Sequence, residues 1–222
     1  MPTSDLYNIT SILTIVSNLK PKTILDIGCG FGKYGFLMRE YLEVWQERLQ
    51  PENWQTSIVG IDAFAGYHNP IWDFVYNSVH IGDAETILPN LSNFDVILIA
   101  DVIEHFEKSN AVNLVNLCLQ KADAVIVSTP KEFYPQGDSF GNAYEIHRCL
   151  FQAQDFPSDC YVITIPALSC NIFIGSRKPI DDRKIYPARF EDLIYLRQRH
   201  SWKNFGLAGA VMAKMLKFAN SL

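Results

Sequence analysis

The stretch TILDIGCGFGKYG, residues 23–35, decides how the chain is interpreted. A short apolar run, interrupted by the carboxylate of Asp26, leads into glycines at positions 28, 30 and 32, and helix-forming residues follow. Alternating glycines permit positive φ angles and let a ligand approach the backbone without meeting a Cβ atom. The stretch therefore predicts a strand, a tight turn and a helix. The turn either binds a ligand or uses its glycines for packing alone.

Two nucleotide-binding patterns fit this turn poorly. A GxGxxG fingerprint requires glycine at position 33, where Lys33 stands, and a phosphate-binding P-loop requires glycine at 27 and Ser or Thr at 34. The stretch instead resembles motif I of the class I S-adenosylmethionine-dependent methyltransferases, in which an acidic residue precedes GxGxG at the end of the first strand. The resemblance extends over residues 23–178 and implies that the turn lies under the methionine and ribose of the cofactor.

Composition indicates an ordinary globular chain. Hydrophobic residues make up 48% and charged residues 19% of its 222 residues, a length that suits one α/β domain with additions. No apolar run of about 18 residues and no signal-peptide pattern occurs, so we expect a cytoplasmic protein without a transmembrane segment. Five cysteines without CxxC spacing argue against a disulfide framework or a zinc site, and we predict no bound metal.

Charge is distributed unevenly along the chain. The formal net charge is −5, made of −9 over residues 1–180 and +4 over residues 181–222, and this balance does not favour a nucleic-acid partner. We predict a methyltransferase domain with an N-terminal helix over residues 1–180. Residues 181–222 are predicted to form a basic, helical C-terminal extension, packed on the core or on a second copy in a homodimer.

Alternating strand and helix patterns define the predicted fold. Strands are expected at 56–64, from 94 to Asp101 and at 122–130, and the adjacent runs 160–168 and 170–178 predict an antiparallel hairpin. These elements predict an α/β fold, a doubly wound Rossmann-like seven-stranded sheet with helices on both faces and a reversed C-terminal hairpin strand.

Finer expectations concern three connecting segments. The helix at 33–49 is predicted to face inward with Leu37, Met38, Tyr41, Trp45 and Leu49, and the segment 66–79 is predicted to bury Trp72 and Phe74. The segment YEIHRCLFQAQDF resembles the one after strand five in methyltransferases of this class, which implies a helix that ends at the pair Asp155 and Phe156.

Acidic residues at strand ends are the predicted cofactor ligands. Asp62 follows the second strand, where a carboxylate can accept hydrogen bonds from both ribose hydroxyls, although a solvated loop aspartate or a helix cap is the alternative. The resemblance implies that Asp83 and Ala84 contact adenine and that Asp26 and Asp101 lie at the methionine end. The predicted cofactor-binding residues are Asp26, Gly28, Gly30, Gly32, Asp62, Ala63, Asp83, Ala84 and Asp101.

The acceptor side is predicted from two histidine segments. One is the DxxEH arrangement that ends in His105, and the other contains Glu145, His147 and Arg148. Because an imidazole near neutrality can serve as a base, we predict His147 as the general base, with His105 as the second candidate. Alternatively, Glu145 and Arg148 form an ion pair on a helix.

The resemblance implies an enzyme that uses S-adenosylmethionine. We expect a methyltransferase that moves a methyl group by in-line displacement to an oxygen or nitrogen of a small-molecule, sugar-like acceptor. A non-catalytic, methyltransferase-like scaffold subunit is the first alternative. An NAD-dependent oxidoreductase is the second, disfavoured by Lys33 and by the terminal hairpin.

Overall fold

A computed structural model describes residues 6–181 and residue 185. Its strands are β1 (Thr23–Ile27), β2 (Ser57–Asp62), β3 (Ser78–Ile81), β4 (Phe94–Ala100), β5 (Ala122–Pro130), β6 (Tyr161–Pro166) and β7 (Cys170–Ser176). The α-helices are α1 (Ile9–Leu19), α2 (Lys33–Leu42), α3 (Pro70–Val75), α4 (Ala84–Ile87) and α5 (Lys108–Lys121). Short 3-10 helices lie at Leu6–Asn8, Val44–Gln46, Pro51–Asn53, Ala65–Tyr67, Leu88–Asn90, Ile103–His105, Ala143–Glu145 and Ala153–Asp155.

The strands form one mixed sheet, which confirms the predicted fold class. Strand order is β3-β2-β1-β4-β5-β7-β6, and the five strands from β3 to β5 are parallel. The hairpin of β6 and β7 is antiparallel, and β7 runs antiparallel to β5. The order reverses between β1 and β4, so a crevice opens at the carboxyl ends of these strands, where ligands of open α/β sheets bind.

The central strands supply the core. Each of the last five residues of β4, from Val96 to Ala100, is buried, as expected for a parallel strand with both faces covered. Helix α5 packs its buried face, which includes Leu114 and Val115, into the same cluster. Continuous apolar runs in the sequence thus became the buried centre of the sheet.

The prediction that the helix at 33–49 faces inward along its whole length is wrong beyond its first turns. Helix α2 ends at Leu42, and the side chains of Tyr41, Trp45 and Leu49 are 46%, 76% and 67% exposed. The chain turns there because the buried carboxylate of Glu43 accepts hydrogen bonds from Arg48 and from the backbone of Thr56. A second error lies in the segment 66–79, where Trp72 is buried as predicted but Phe74 is 54% exposed.

The helix predicted to end at Asp155 and Phe156 is reduced to one 3-10 turn, Ala153–Asp155, with Phe156 as its C-cap. Residues 146–152 carry no helix because their backbone donors bind elsewhere: the amides of Arg148 and Cys149 donate to the carbonyl of Glu104 at 2.8 and 3.1 Å. The alternative pairing of Glu145 with Arg148 on a helix is therefore also wrong. The Arg148 guanidinium instead donates to the carbonyl of His105 at 2.7 Å.

Apart from residues 181 and 185, the predicted C-terminal extension lies outside the described residues. The described part of the chain contains no helix that is both long and apolar enough to cross a membrane.

Candidate active site

A cavity of about 290 Å³ opens at the carboxyl ends of β1, β2 and β4. It is at the small end of the range of about 300–1,000 Å³ that is typical of ligand pockets. Its wall contains residues from the glycine turn, the ends of β2 and β4, the start of α4 and the loop after β5. The cavity therefore occupies the switch point of the sheet, as the positions of the predicted site residues require.

The glycine turn forms one wall. Gly28 and Gly30 line the cavity with φ angles of 71° and 50°, which a residue without a Cβ atom adopts readily. The Gly28 amide donates to the carbonyl of Ile61 at 2.8 Å, which holds the turn against β2. Gly32 is not among the lining residues. Gly32 is the N-cap residue of α2 and has a φ angle of 86°, so it contributes to the start of the helix and not to the cavity wall.

Asp62 lies at the end of β2, in the wall of the cavity beside Ala63. One carboxylate oxygen accepts from the Gly30 amide at 2.8 Å, and the other accepts from the Phe64 amide at 2.9 Å. Burial raises the pKa of this carboxyl group, and these two backbone hydrogen bonds oppose the shift. Asp62 thus ties the glycine turn to β2, a contact that the sequence pattern did not predict.

Asp83 and Ala84 line the cavity at the start of α4. The Asp83 carboxylate accepts from the Glu85 amide at 2.8 Å, which makes it the N-cap of this short helix. A capping carboxylate has a second oxygen and further lone pairs, so capping does not prevent contact with a ligand.

Asp101 lines the cavity at the end of β4 in a left-handed conformation, with a φ angle of 53°. Its carboxylate accepts from the Ser128 hydroxyl at 2.7 Å and from the Asn8 side-chain amide at 3.2 Å. A non-glycine residue in this conformation stores backbone strain, which tertiary contacts maintain. Here a residue preceding α1 and a residue of β5 supply those contacts.

Asp26 differs from the other predicted acidic residues because its side chain does not line the cavity. It is 2% exposed, and one carboxylate oxygen accepts from the Tyr76 hydroxyl at 2.7 Å. Burial raises the pKa of Asp26 to about 7. The position favours a structural contact between β1 and the residue that follows α3, rather than the predicted contact with the methionine end of a cofactor.

The two predicted bases are neighbours. His105 lines the cavity, whereas His147 is 9% exposed and is not among the lining residues. Their ring centroids are 5.0 Å apart. Burial lowers the pKa of His105 to about 4 and also lowers the pKa of His147, so both imidazoles are neutral near pH 7.

The sequence patterns did not predict a group of three hydrogen-bonded polar side chains in the cavity wall. The Tyr67 hydroxyl donates to Glu145 at 2.8 Å and accepts from the Asn142 side chain at 3.0 Å, and all three residues line the cavity. Burial raises the pKa of Tyr67 to about 12. Glu145 was considered for the acceptor side, but no local signal linked it to a tyrosine 78 residues earlier in the chain.

The cavity is strongly acidic. Among the described residues, the lining contains the cationic residues Lys33 and Arg148 and six acidic ones, namely Asp62, Asp83, Glu85, Asp101, Glu107 and Glu145. With His105 neutral, these described lining residues carry a formal charge of −4. A cavity of one sign with low-dielectric walls attracts ligands of the opposite sign, so this one favours a cationic ligand over a polyanionic one.

Solved structures share this fold. The methyltransferase domain of bacterial CtHen1 is 15% identical, with a TM-score of 0.54 over 76% of this chain and 97% of that chain. The N-terminal domain of EvdMO1, solved in the presence of SAH and D-fucose, is 16% identical (TM-score 0.52; 80% and 85% covered). Magnesium protoporphyrin IX methyltransferase from Synechocystis, solved with bound SAM, is 13% identical (TM-score 0.51; 77% of each chain).

Other matches are partial. A SAM-dependent methyltransferase from Archaeoglobus fulgidus and the plantazolicin methyltransferase BamL align over 45% and 49% of their own chains, so the match spans about half of their length. No curated protein matches the chain in sequence.

A family model described as "Methyltransferase domain" matches residues 7–159, which contain the glycine turn, the parallel strands and every predicted site residue. The chain therefore belongs to the methyltransferase domain family, as the resemblance of its glycine turn and strand ends predicted.

Proposed function

We propose that the protein transfers a methyl group from S-adenosylmethionine to an oxygen or nitrogen of a small-molecule acceptor, a class that includes sugar-like molecules. The observation that carries the proposal is the acidic cavity at the switch point of the sheet, bounded by the glycine turn and Asp62. A cationic sulfonium ligand suits a lining with a formal charge of −4. The negatively charged pyrophosphate of NAD does not suit this acidic lining, so the oxidoreductase alternative is less favoured.

The residues that are present fit the cofactor. Each oxygen of the Asp62 carboxylate accepts one backbone hydrogen bond, and a carboxylate offers about four acceptor positions. Capacity therefore remains for two ribose hydroxyls. At Gly28, an added Cβ atom would lie 2.3 Å from the Cγ2 atom of Val102, which also lines the cavity, so only glycine keeps this wall open.

When bound, S-adenosylmethionine supplies a methyl carbon that bonds to the acceptor atom as its bond to sulfur breaks, which gives SAH, the methylated acceptor and one released proton. The protein's contribution is to hold the acceptor in line with that carbon and to exclude water. Asp62, Asp83 and Ala84 are proposed to orient the nucleoside, and Asp101 to face the charged end. His147 and His105 remain the predicted bases.

Calorimetric titration of the full chain with S-adenosylmethionine, SAH and NAD tests the proposal. We expect micromolar binding of the first two and no binding of NAD. Asp62→Ala should weaken SAH binding by about 10- to 100-fold, because a hydrogen bond to a charged group contributes about 1.5–3 kcal/mol. Asp73→Ala is the matched control, since the Asp73 side chain is 76% exposed and outside the cavity.

Thermal unfolding must accompany the titration, because Asp62 also holds the glycine turn. A comparison of the unfolding free energy of Asp62→Ala with that of the wild type separates lost folding from lost binding. Failure of the folded wild-type protein to bind either S-adenosylmethionine or SAH would overturn the proposal and favour the scaffold alternative.

A further inference from the structure

Three potential metal ligands meet beside the cavity, although they are distant in sequence. Glu104 and His105 follow β4, whereas His147 lies 42 residues beyond His105 in the loop after β5. One potential ligand atom from each residue lies within 4.8 Å of the other two. The methyl transfer proposed above makes no use of Glu104.

Both imidazoles are oriented in the way that metal-binding histidines usually are. The Nδ1 atom of His147 lies 3.0 Å from the carbonyl of Tyr134, and the Nδ1 atom of His105 lies 3.4 Å from the carbonyl of Ile146. A carbonyl only accepts, so in a neutral ring the proton sits on Nδ1 and the lone pair on Nε2. Carbonyl partners of this kind fix the tautomer and direction of metal ligands.

The third member, Glu104, has a buried carboxyl group in which one oxygen lacks its expected partner among the described residues. Its side chain is 3% exposed, and within the described part of the chain its Oε2 atom has no hydrogen-bond partner. The Thr129 hydroxyl is near enough to influence the carboxyl but is likewise buried without a completed hydrogen bond. Because buried polar groups in folded proteins are normally satisfied, such an oxygen indicates a missing ligand.

We propose that Glu104, His105 and His147 bind one first-row divalent cation of the zinc type. Two imidazole nitrogens and one carboxylate leave a coordination position open, and because His105 lines the cavity, a bound ion has access to it. Tetrahedral ligands at about 2.1 Å are about 3.4 Å apart, so the side chains need to approach by at most about 1.4 Å. Nitrogen ligands select against Mg²⁺ and Ca²⁺.

Cation binding by His105 and His147 is incompatible with their predicted role as general bases. An imidazole that binds a cation through Nε2 and donates from Nδ1 to a carbonyl has no nitrogen left to accept a proton. A bound cation would instead lower the pKa of an acceptor hydroxyl that coordinates it, and the hydroxyl proton would pass to solvent. Binding of the cation itself does not depend on the proposed methyl transfer.

The test is titration of the untagged, chelator-treated full chain with Zn²⁺, and with Mg²⁺ for comparison, in the absence of any cofactor. We expect one equivalent of Zn²⁺ to bind, and Glu104→Gln and His147→Ala each to weaken it by at least about tenfold. His68→Ala is the matched control and should bind Zn²⁺ like the wild type. His68 also lies near a carboxylate, 3.6 Å from Asp73, but on the surface.

X-ray absorption of the zinc-loaded wild type keeps the proposal testable if the variants fail to fold. Two imidazole ligands and no sulfur are expected. The proposal is overturned if the wild type binds no Zn²⁺, if folded Glu104→Gln and His147→Ala variants bind it as tightly as the wild type, or if sulfur ligands appear. SAH binding is measured separately, so failure here leaves the proposed function unaffected.

Discussion

Gly28→Ala should destabilise the protein through two separable effects. The φ angle of Gly28 is 71°, and a Cβ atom in left-handed backbone costs about 1–2 kcal/mol. The added atom would also lie 2.3 Å from Cγ2 and 2.9 Å from Cγ1 of Val102, and overpacking of this kind costs about 1–3 kcal/mol. The expected loss in the free energy of unfolding is therefore about 2–5 kcal/mol.

Two other glycines in the chain are natural controls. Gly141 has a φ angle of 73° but no atom within 4 Å of an added Cβ, so Gly141→Ala should show only the conformational cost of about 1–2 kcal/mol. Gly137 has neither a positive φ angle nor a close neighbour. Gly137→Ala should therefore leave stability unchanged or raise it by up to about 1 kcal/mol.

Val102→Ala is the fourth variant. It removes both Cγ atoms of Val102, so that the nearest remaining atom, the Val102 Cβ, lies 3.2 Å from the Cβ added at Gly28. When Gly28→Ala is combined with Val102→Ala, its cost in the free energy of unfolding should be about 1–3 kcal/mol smaller than in the wild-type background. Urea unfolding followed by the fluorescence of the four tryptophans measures all six proteins, the wild type included. A Gly28→Ala variant no less stable than Gly141→Ala, or a double variant without coupling, would refute the packing argument.

Two further predictions concern buried charge. The raised pKa of Asp26, about 7 against 3.8, means that the folded state holds this proton more tightly, so stability should fall by up to about 4 kcal/mol as pH rises from 4 to 7. Asp26→Asn should remove this part of the slope in urea unfolding across that range, and a variant with the wild-type slope would contradict the assignment. Arg39 is 3% exposed and donates to the carbonyls of Val75 and Thr56 and to the side chain of Asn77, so Arg39→Met should cost about 3–5 kcal/mol. Arg177→Met, which removes a surface ion pair, should cost less than about 1 kcal/mol, and equal losses in the two variants would argue against the buried network.

Local patterns predicted most of the fold because strand periodicity and glycine turns are local properties. The apolar run in β4, the GxGxG turn and the adjacent runs that became β6 and β7 were each visible within a few residues. The exposed side chains of Trp45 and Leu49 were mispredicted because helical spacing alone does not reveal where a helix ends. That end depends on Glu43, whose partner Thr56 lies 13 residues away.

The sequence by itself determined the order of strands and helices, the glycine turn and the acidic residues at the strand ends, because parallel strands deliver their carboxyl ends to one edge of the sheet. Only the tertiary structure decided which carboxylates reach the cavity: Asp62 and Asp101 line it, whereas Asp26 is buried against Tyr76. Tertiary structure also brought Tyr67 to Glu145 and His105 to His147. Such contacts join residues at least 42 positions apart, and their distances depend on how the loops pack rather than on any local pattern.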